Sequence, residues 1–346
     1  MNLQRQTGHF VTGRVRFVLA VVLFWVTVFI IAAEVVTRIQ GFAPFQDYNP
    51  FVGQEGERIV RDDPYLGYTH RPGRMVVAGK VMTHLDNTLR ITQPLEAYAR
   101  AADRPEVWLF GCSITHGYGL NDDETFAWQL QKKLPEFEIV NFGVEGYSTV
   151  QSLLQLERAL KERGRPEAAT LIYGKFHDER SILSRNWWKD NMKLWDYVAS
   201  SQPCARLDDE GRLMLDYVKD PYRLFPLARV LAFVNALDEI YTGWHDSNMS
   251  QAAVGRALVL EFAQTCKEAG VPFLLAAWDL PGSLTPLVDL CAKNDIPSAC
   301  VAVPSTPEYI DPATGHPNAD AARAIAAHLN TALEPLLRRS PEEAPR

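Results

Sequence analysis

The sequence predicts an α/β fold, a three-layer α/β/α sandwich around a parallel sheet of about five strands, carried behind one apolar N-terminal helix. Three observations predict it. Short apolar runs (VWLF, EIVNFG, ATLIYGKF, PFLLAAW, SACVAV) alternate with segments whose apolar residues recur at helical spacing, the signature of right-handed βαβ units. The chain has 346 residues, 47% of them hydrophobic and 22% charged, which suits one sizeable domain with additions. Finally, FVLAVVLFWVTVFIIAA (17–33) carries no charge and extends through Val35 and Val36 towards bilayer-spanning length.

Arg5, Arg14 and Arg16 precede that stretch with no acid beside them, and Glu34, Arg38 and Asp47 follow it. The positive-inside bias therefore makes 1–16 a cytoplasmic N-terminus, 17–36 a single-pass inner-membrane anchor, and the rest periplasmic or otherwise extracytoplasmic. A cleaved signal peptide is the rival reading. Against it, the apolar core is long for an h-region and Ile31-Ala32-Ala33 lacks a small residue at −3.

Residues 37–104, rich in Pro, Gly and polar groups, read as a stalk and a small β-rich apron, with His70 and His84 as loop residues. The main domain spans 105–338, with helices expected over 125–134, 150–163, 254–269, 284–292 and after His316. Asp122, Asp123 and Glu124 suit a helix start, where carboxylates complement the dipole. An insertion at 181–250 is dense in aromatics (Trp187, Trp188, Trp195, Tyr197, Tyr217, Tyr222 and others); it reads either as a cap at the sheet edge or as a helical add-on whose rings merely pack. Pro226, Arg229 and Asp238 argue against a second span within it, and 339–346 reads as a flexible tail.

A net charge of −7 with no clustered basic face excludes non-specific nucleic-acid binding. The five cysteines are odd in number and form no CxxC or Cys/His cluster, so no metal site is expected. Cys291 with Cys300, and Cys204 with Cys266, are candidate bridges in an oxidising compartment, leaving Cys112 over; spacing does not fix the connectivity.

Chemistry concentrates in EVWLFGCSITHGYG (106–119), where a buried strand breaks at a glycine and Ser113 follows, the way a parallel sheet presents a nucleophile at its edge. A serine hydroxyl needs a base within hydrogen-bond reach and donors aimed at the developing oxyanion. His316, ahead of Pro317 and an alanine-rich helix, is the candidate base; the Ser113 N–H and the N–H of Gly146, in NFGVEGYST, are candidate donors. His116 reads as a loop residue. Arg180 and Arg185 suit an anionic substrate group or simply a solvated surface, and Asn186 and Trp187 complete the candidate substrate-binding set.

GCSITHGYGLNDDETF, NFGVEGYSTVQ and GHPNADAARAIA, in this order, resemble the first, second and last blocks of the SGNH or GDSL hydrolases, specifically their membrane-anchored, extracytoplasmic bacterial branch; DPYLGY is a weak upstream marker. The resemblance runs from about Asp63 to Leu333. It implies Ser113 as nucleophile, Gly146 in the oxyanion hole, and His316 as general base, with Cys112 where Asp often stands. Two departures stand out. YGKFHDER puts His177 and Asp178 where that family's oxyanion Asn is expected, so the donor is His177 or comes from elsewhere, with Asn186 a candidate. Thr314 and Ala313 occupy the places of the triad acid, leaving Asp311, five residues before His316, as the nearest upstream carboxylate.

The resemblance implies ester hydrolysis or acyl transfer through an acyl-Ser113 intermediate, with no metal or organic cofactor. Compartment and resemblance together suggest an acylated glycan or other ester as substrate, in the setting of envelope polysaccharide machinery. Two alternatives stay open: an inactive glycan-binding or assembly protein, and a lipid or small-ester hydrolase.

Overall fold

The computed structural model describes residues 4–46, 59–98, 104–189, 201–219, 223–278 and 285–338. Asp47, Trp195, Tyr197, Tyr222 and the tail 339–346 lie outside the described residues. The chain divides into two units, 49–221 with 249–346, and 1–48 with 222–248.

The larger unit begins with two antiparallel hairpins, β1 (Val60–Asp63) with β2 (Gly67–His70), and β3 (Gly73–Val77) with β4 (Lys80–His84). The central strands follow: β5 (Glu106–Phe110), β6 (Glu138–Asn141) and β7 (Ala168–Tyr173). After a hairpin of β8 (Gln202–Leu207) and β9 (Leu213–Val218), the sheet resumes with β10 (Phe273–Ala277) and β11 (Ser298–Cys300). The five central strands are parallel in the order β11-β10-β7-β5-β6. Renumbered along the sheet this is 2-1-3-4-5, the flavodoxin-like winding whose switch point lies beside the first strand.

Both faces of the sheet are covered, which is why its strands read as continuous apolar runs rather than alternating ones. Val107 and Leu109 pack into a core with Leu130 of the helix Phe126–Lys133 and with Ile325 and Leu329 of the helix Ala319–Leu337. On the opposite face, Phe110 stacks on Phe142 and meets Phe262 of the helix Gln251–Glu268 edge-on. Helix starts carry the expected signals: Thr125 Oγ1 accepts from Trp128 N, Ser148 and Gln151 form a capping box at Thr149–Glu162, and Asn318 accepts from Asp320 N and Ala321 N. The acidic run 122–124 forms a 3₁₀ turn rather than a helix start. The reason is tertiary, since Asp122 Oδ1 accepts from Thr83 N and pairs with Arg90.

In the smaller unit, the helix Gln4–Ile39 contains the apolar span Arg14–Ile39, of mean hydropathy 2.7. It is long and apolar enough to cross a membrane. Beside it lies the helix Ala232–Ser247, whose first two N–H groups, on Ala232 and Phe233, donate to the Glu34 carboxylate. The aromatic insertion is thus not one body. Trp187 and Trp188 are buried in the larger unit, residues 202–218 form the β8–β9 hairpin, and 223–248 join the N-terminal helix. No disulfide joins any of the five cysteines: four are buried separately and Cys300 is exposed.

Candidate active site

β5 ends at Phe110, and Gly111 turns the chain at φ 147°. A Cβ there would lie 2.3 Å from Thr115 Oγ1 and 2.9 Å from the Ile172 carbonyl, so only glycine fits. The short helix Ser113–His116 then places Ser113 at the carboxyl end of the sheet, beside the switch point. Gly143, in the loop after β6, packs against this helix, and Asn141 Nδ2 donates to the Thr115 carbonyl.

His316 arrives from the far end of the chain. Its Nε2 lies 2.8 Å from Ser113 Oγ. Its Nδ1 is 2.8 Å from the Thr314 carbonyl, and since a carbonyl only accepts, Nδ1 carries the proton and Nε2 turns a lone pair to the serine hydroxyl. Burial lowers the pKa of His316 below its ordinary value, against the opposing pull of the Thr314 carbonyl and of the Glu145 charge. Asp311, the carboxylate expected to orient this ring, does not hold Nδ1. Its oxygens accept from Ala313 N (2.9 Å) and Thr314 Oγ1 (3.1 Å), closing the turn that brings the Thr314 carbonyl to the imidazole. Asp311 shapes the ring's support rather than touching the ring.

Ser113 and His316 open on a cavity of about 510 Å³ whose wall also includes Phe176, Arg180, Trp278 and Ile310. Phe176 and Arg180 lie one turn apart on the helix Phe176–Ser181, so they share a face. His177, between them in sequence, is off that face and sealed from solvent, its Nδ1 3.4 Å from Thr149 Oγ1 and its Nε2 without a partner among the described residues. Burial and then the Arg180 charge drive the His177 pKa well below the ordinary value. The polar side chain this helix offers to the cavity is Arg180, not His177. The Arg180 guanidinium lies 4.4 Å from the Phe176 ring centroid and 4.6 Å from that of Trp187.

Gly146 has φ 77°, and a Cβ there would strike Tyr68 Oη at 2.6 Å and meet Trp187 at 3.4 Å. Its N–H and that of Ser113 carry no hydrogen bond among the described residues. The Tyr68 hydroxyl donates to the Glu145 carbonyl, fixing the turn. Asn186 is exposed, with Nδ2 3.4 Å from a Glu179 oxygen, and Arg185 is half-buried; neither lines the cavity.

Behind Ser113 lies a cluster that sequence reading missed. His70, His84 and His116, expected in loops, are buried together with the Glu145 carboxylate. Glu145 contacts His70 Nε2 through one oxygen and His116 Nδ1 through the other, the latter at 2.6 Å. His84 Nε2 meets His116 Nε2 at 2.9 Å. Burial drives the His84 pKa well below its ordinary value and takes that of His116 down to about 3, so both rings are neutral. Burial also opposes the Glu145 charge, but the His116 and His70 contacts outweigh it and keep the carboxylate ionised. Arg90, fully buried, donates to the carbonyls of His116, Gly117 and Leu120.

The three imidazoles offer nitrogens within 4.8 Å of one another, a composition that would suit a metal ion. The ring planes do not suit one. The His84 and His116 rings are 11° from parallel with centroids 5.1 Å apart, so their Nε2 atoms point at each other edge to edge, and His70 stacks across both at 4.2 and 4.3 Å. Nitrogen lone pairs so arranged do not converge on a common ion.

No protein-family model and no curated protein matches the sequence. Solved structures similar to this chain include TesA (16% identity, 67% of this chain and 99% of that one, TM-score 0.41). The psychrotrophic esterase EstA from Pseudoalteromonas sp., inhibited by monoethylphosphonate, matches at 10% identity over 68% of this chain and 100% of its own, with a TM-score of 0.40. AlinE4, an SGNH-hydrolase family esterase, matches at 17% identity over 69% of this chain and 99% of its own, with a TM-score of 0.34.

Proposed function

We propose that this chain is a membrane-anchored, extracytoplasmic serine esterase or O-acyltransferase of SGNH type, acting on acyl esters of envelope or exported polysaccharide. The observation that carries the reading is the 2.8 Å contact of Ser113 Oγ with an imidazole nitrogen of His316 whose lone pair is free to accept, at the mouth of a ligand-sized cavity.

In this reading, His316 takes the hydroxyl proton as Ser113 Oγ bonds to the ester carbonyl carbon. The oxyanion meets the N–H groups of Ser113 and Gly146, and the Arg180 guanidinium adds positive charge from the cavity wall. His316 returns the proton to the departing alcohol oxygen as the acyl–oxygen bond breaks. Water or a sugar hydroxyl, deprotonated by His316, then attacks the acyl-serine and frees Ser113. The lowered pKa keeps His316 neutral and ready to accept near pH 7. The Thr314 carbonyl holds the tautomer that a triad carboxylate holds elsewhere.

The apolar span, with arginines before it, supports the anchor and the extracytoplasmic placement. The glycan substrate rests on that placement. The test is incubation of the full chain with an O-acetylated polysaccharide, with and without an unacetylated acceptor glycan. Acetate release, or acetyl transfer, that Ser113→Ala abolishes is the expected result; turnover of small esters with neither would exclude the glycan.

A further inference from the structure

The helix Ala232–Ser247 is amphipathic in the wrong sense for water. Its stripe of Asn235, Asp238, Thr242 and Asp246 is buried, while Leu237, Ile240, Tyr241 and Trp244 stand exposed on another face at helical spacing. Ile240 is 68% exposed and Trp244 63%, and Leu227 and Val230, just before the helix, are 61% and 63%. Two members of the inward stripe are tied down: Asn235 Nδ2 donates to the Ala43 carbonyl and Asp238 Oδ1 accepts from Phe225 N. Large contiguous apolar patches on a surface mark contact with a membrane or another protein.

We propose that this face lies in the outer leaflet of the bilayer, making 223–248 a second, interfacial membrane contact beside the N-terminal span. The proposal rests on the anchor reading above. Three observations choose lipid as the occupant. The helix is built onto the span itself: Phe233 packs edge-on against Phe29 at 6.1 Å, and Glu34 caps the helix start. Phe29 lies about 10 Å along the helix from Val36, at about 1.5 Å per residue, close to the depth of about 5–10 Å that the apolar face of an interfacial helix reaches. Tyr241 and Trp244, ring against ring at 5.8 Å, are the residue types that settle at headgroup level. The buried Asp238 and Asp246 and the neighbouring Arg229 fit a helix lying in the interface and not one crossing the core.

The test uses the full chain with Cys300→Ser in phospholipid nanodiscs, with a nitroxide placed singly at Val22→Cys, Ile240→Cys, Trp244→Cys or Arg212→Cys. Power-saturation spectroscopy then reads collisions with oxygen, which partitions into lipid, and with a water-soluble nickel chelate. Arg212, highly exposed on the β8–β9 hairpin, serves as the aqueous reference. The expected result is that labels at 240 and 244 lose the nickel contact seen at 212 and keep the oxygen contact seen at 22. Labels at 240 and 244 open to nickel while 22 stays in lipid would overturn the proposal and leave the anchor standing. Labels at 240 and 244 shielded from both reagents would mean that a second copy or another protein covers the face, and would also overturn it. A label at 22 open to nickel would remove the anchor and this proposal together.

Discussion

His116 and His316 flank the same serine, Ser113, in opposite settings. His116 sits on the four-residue helix that begins with Ser113, sealed from solvent, with a carboxylate on one nitrogen and a second imidazole on the other. His316 is half-buried at a cavity, with a carbonyl on one nitrogen and a hydroxyl on the other. The first ring has spent both nitrogens on groups that cannot leave; the second keeps a basic lone pair aimed at a group that a substrate can reach. Histidine type and closeness to Ser113 do not separate bracing from catalysis. What each nitrogen touches does.

The largest effect expected from this contrast is on turnover. Ser113→Ala and His316→Ala each lower kcat for ester hydrolysis by about 10⁴-fold or more, and the double variant loses little further, because the two act as one unit. Thermal unfolding of both stays near that of the parent. The acid limb of kcat/KM should lie below the ordinary histidine range, following the lowered pKa of His316.

The sealed cluster should answer instead in stability. Glu145→Ala leaves the buried His70 and His116 nitrogens without their partner and costs about 1–3 kcal/mol for each group left unpaired, read by urea unfolding. The pH dependence has a defined sign. His116 titrates at about 3 when folded against 6.5 ordinarily, so the unfolded chain binds the proton first, and stability falls as pH drops from about 6.5 towards 3. Glu145, held below its ordinary 4.5, adds a further loss beneath that value as the folded carboxylate finally protonates. His116→Asn should flatten the upper part of that decline; an unchanged slope would mean that other groups carry it.

Smaller again is Arg180→Ala, expected to cost about 10²-fold in kcat/KM, with Arg180→Lys recovering part of it. Smallest is Asp311→Asn. Where a carboxylate holds the catalytic imidazole, its removal costs about 10⁴-fold. Here the Thr314 carbonyl holds it, so a loss under about tenfold is expected, and a loss near 10⁴-fold would show that Asp311 reaches the ring during turnover.

Much of the larger unit was legible in the sequence, because its five strands are buried on both faces and each reads as an apolar run. Ser113, His316 and Gly146 each sit in a contiguous block with local turn chemistry, so the spacing of residues already marks them. The rest lacked a local signal. Glu145, His70, His84 and His116 come from four separate segments and are joined only by tertiary packing. The partner of His316 is a main-chain carbonyl, which no side chain announces. Arg180 and His177 are three residues apart, and only the helix face separates them. Nor does aromatic content distinguish a ring packed in a core, such as Trp187, from one exposed beside an apolar span, such as Trp244.

The most direct measurement is labelling of the full chain with a fluorophosphonate probe, alongside Ser113→Ala, His316→Ala and Asp311→Asn. Strong labelling of the parent and of Asp311→Asn, lost in the other two, is the expected result. A folded parent that takes no label, or one labelled equally well in His316→Ala, would contradict the assignment of Ser113 as a nucleophile activated by His316.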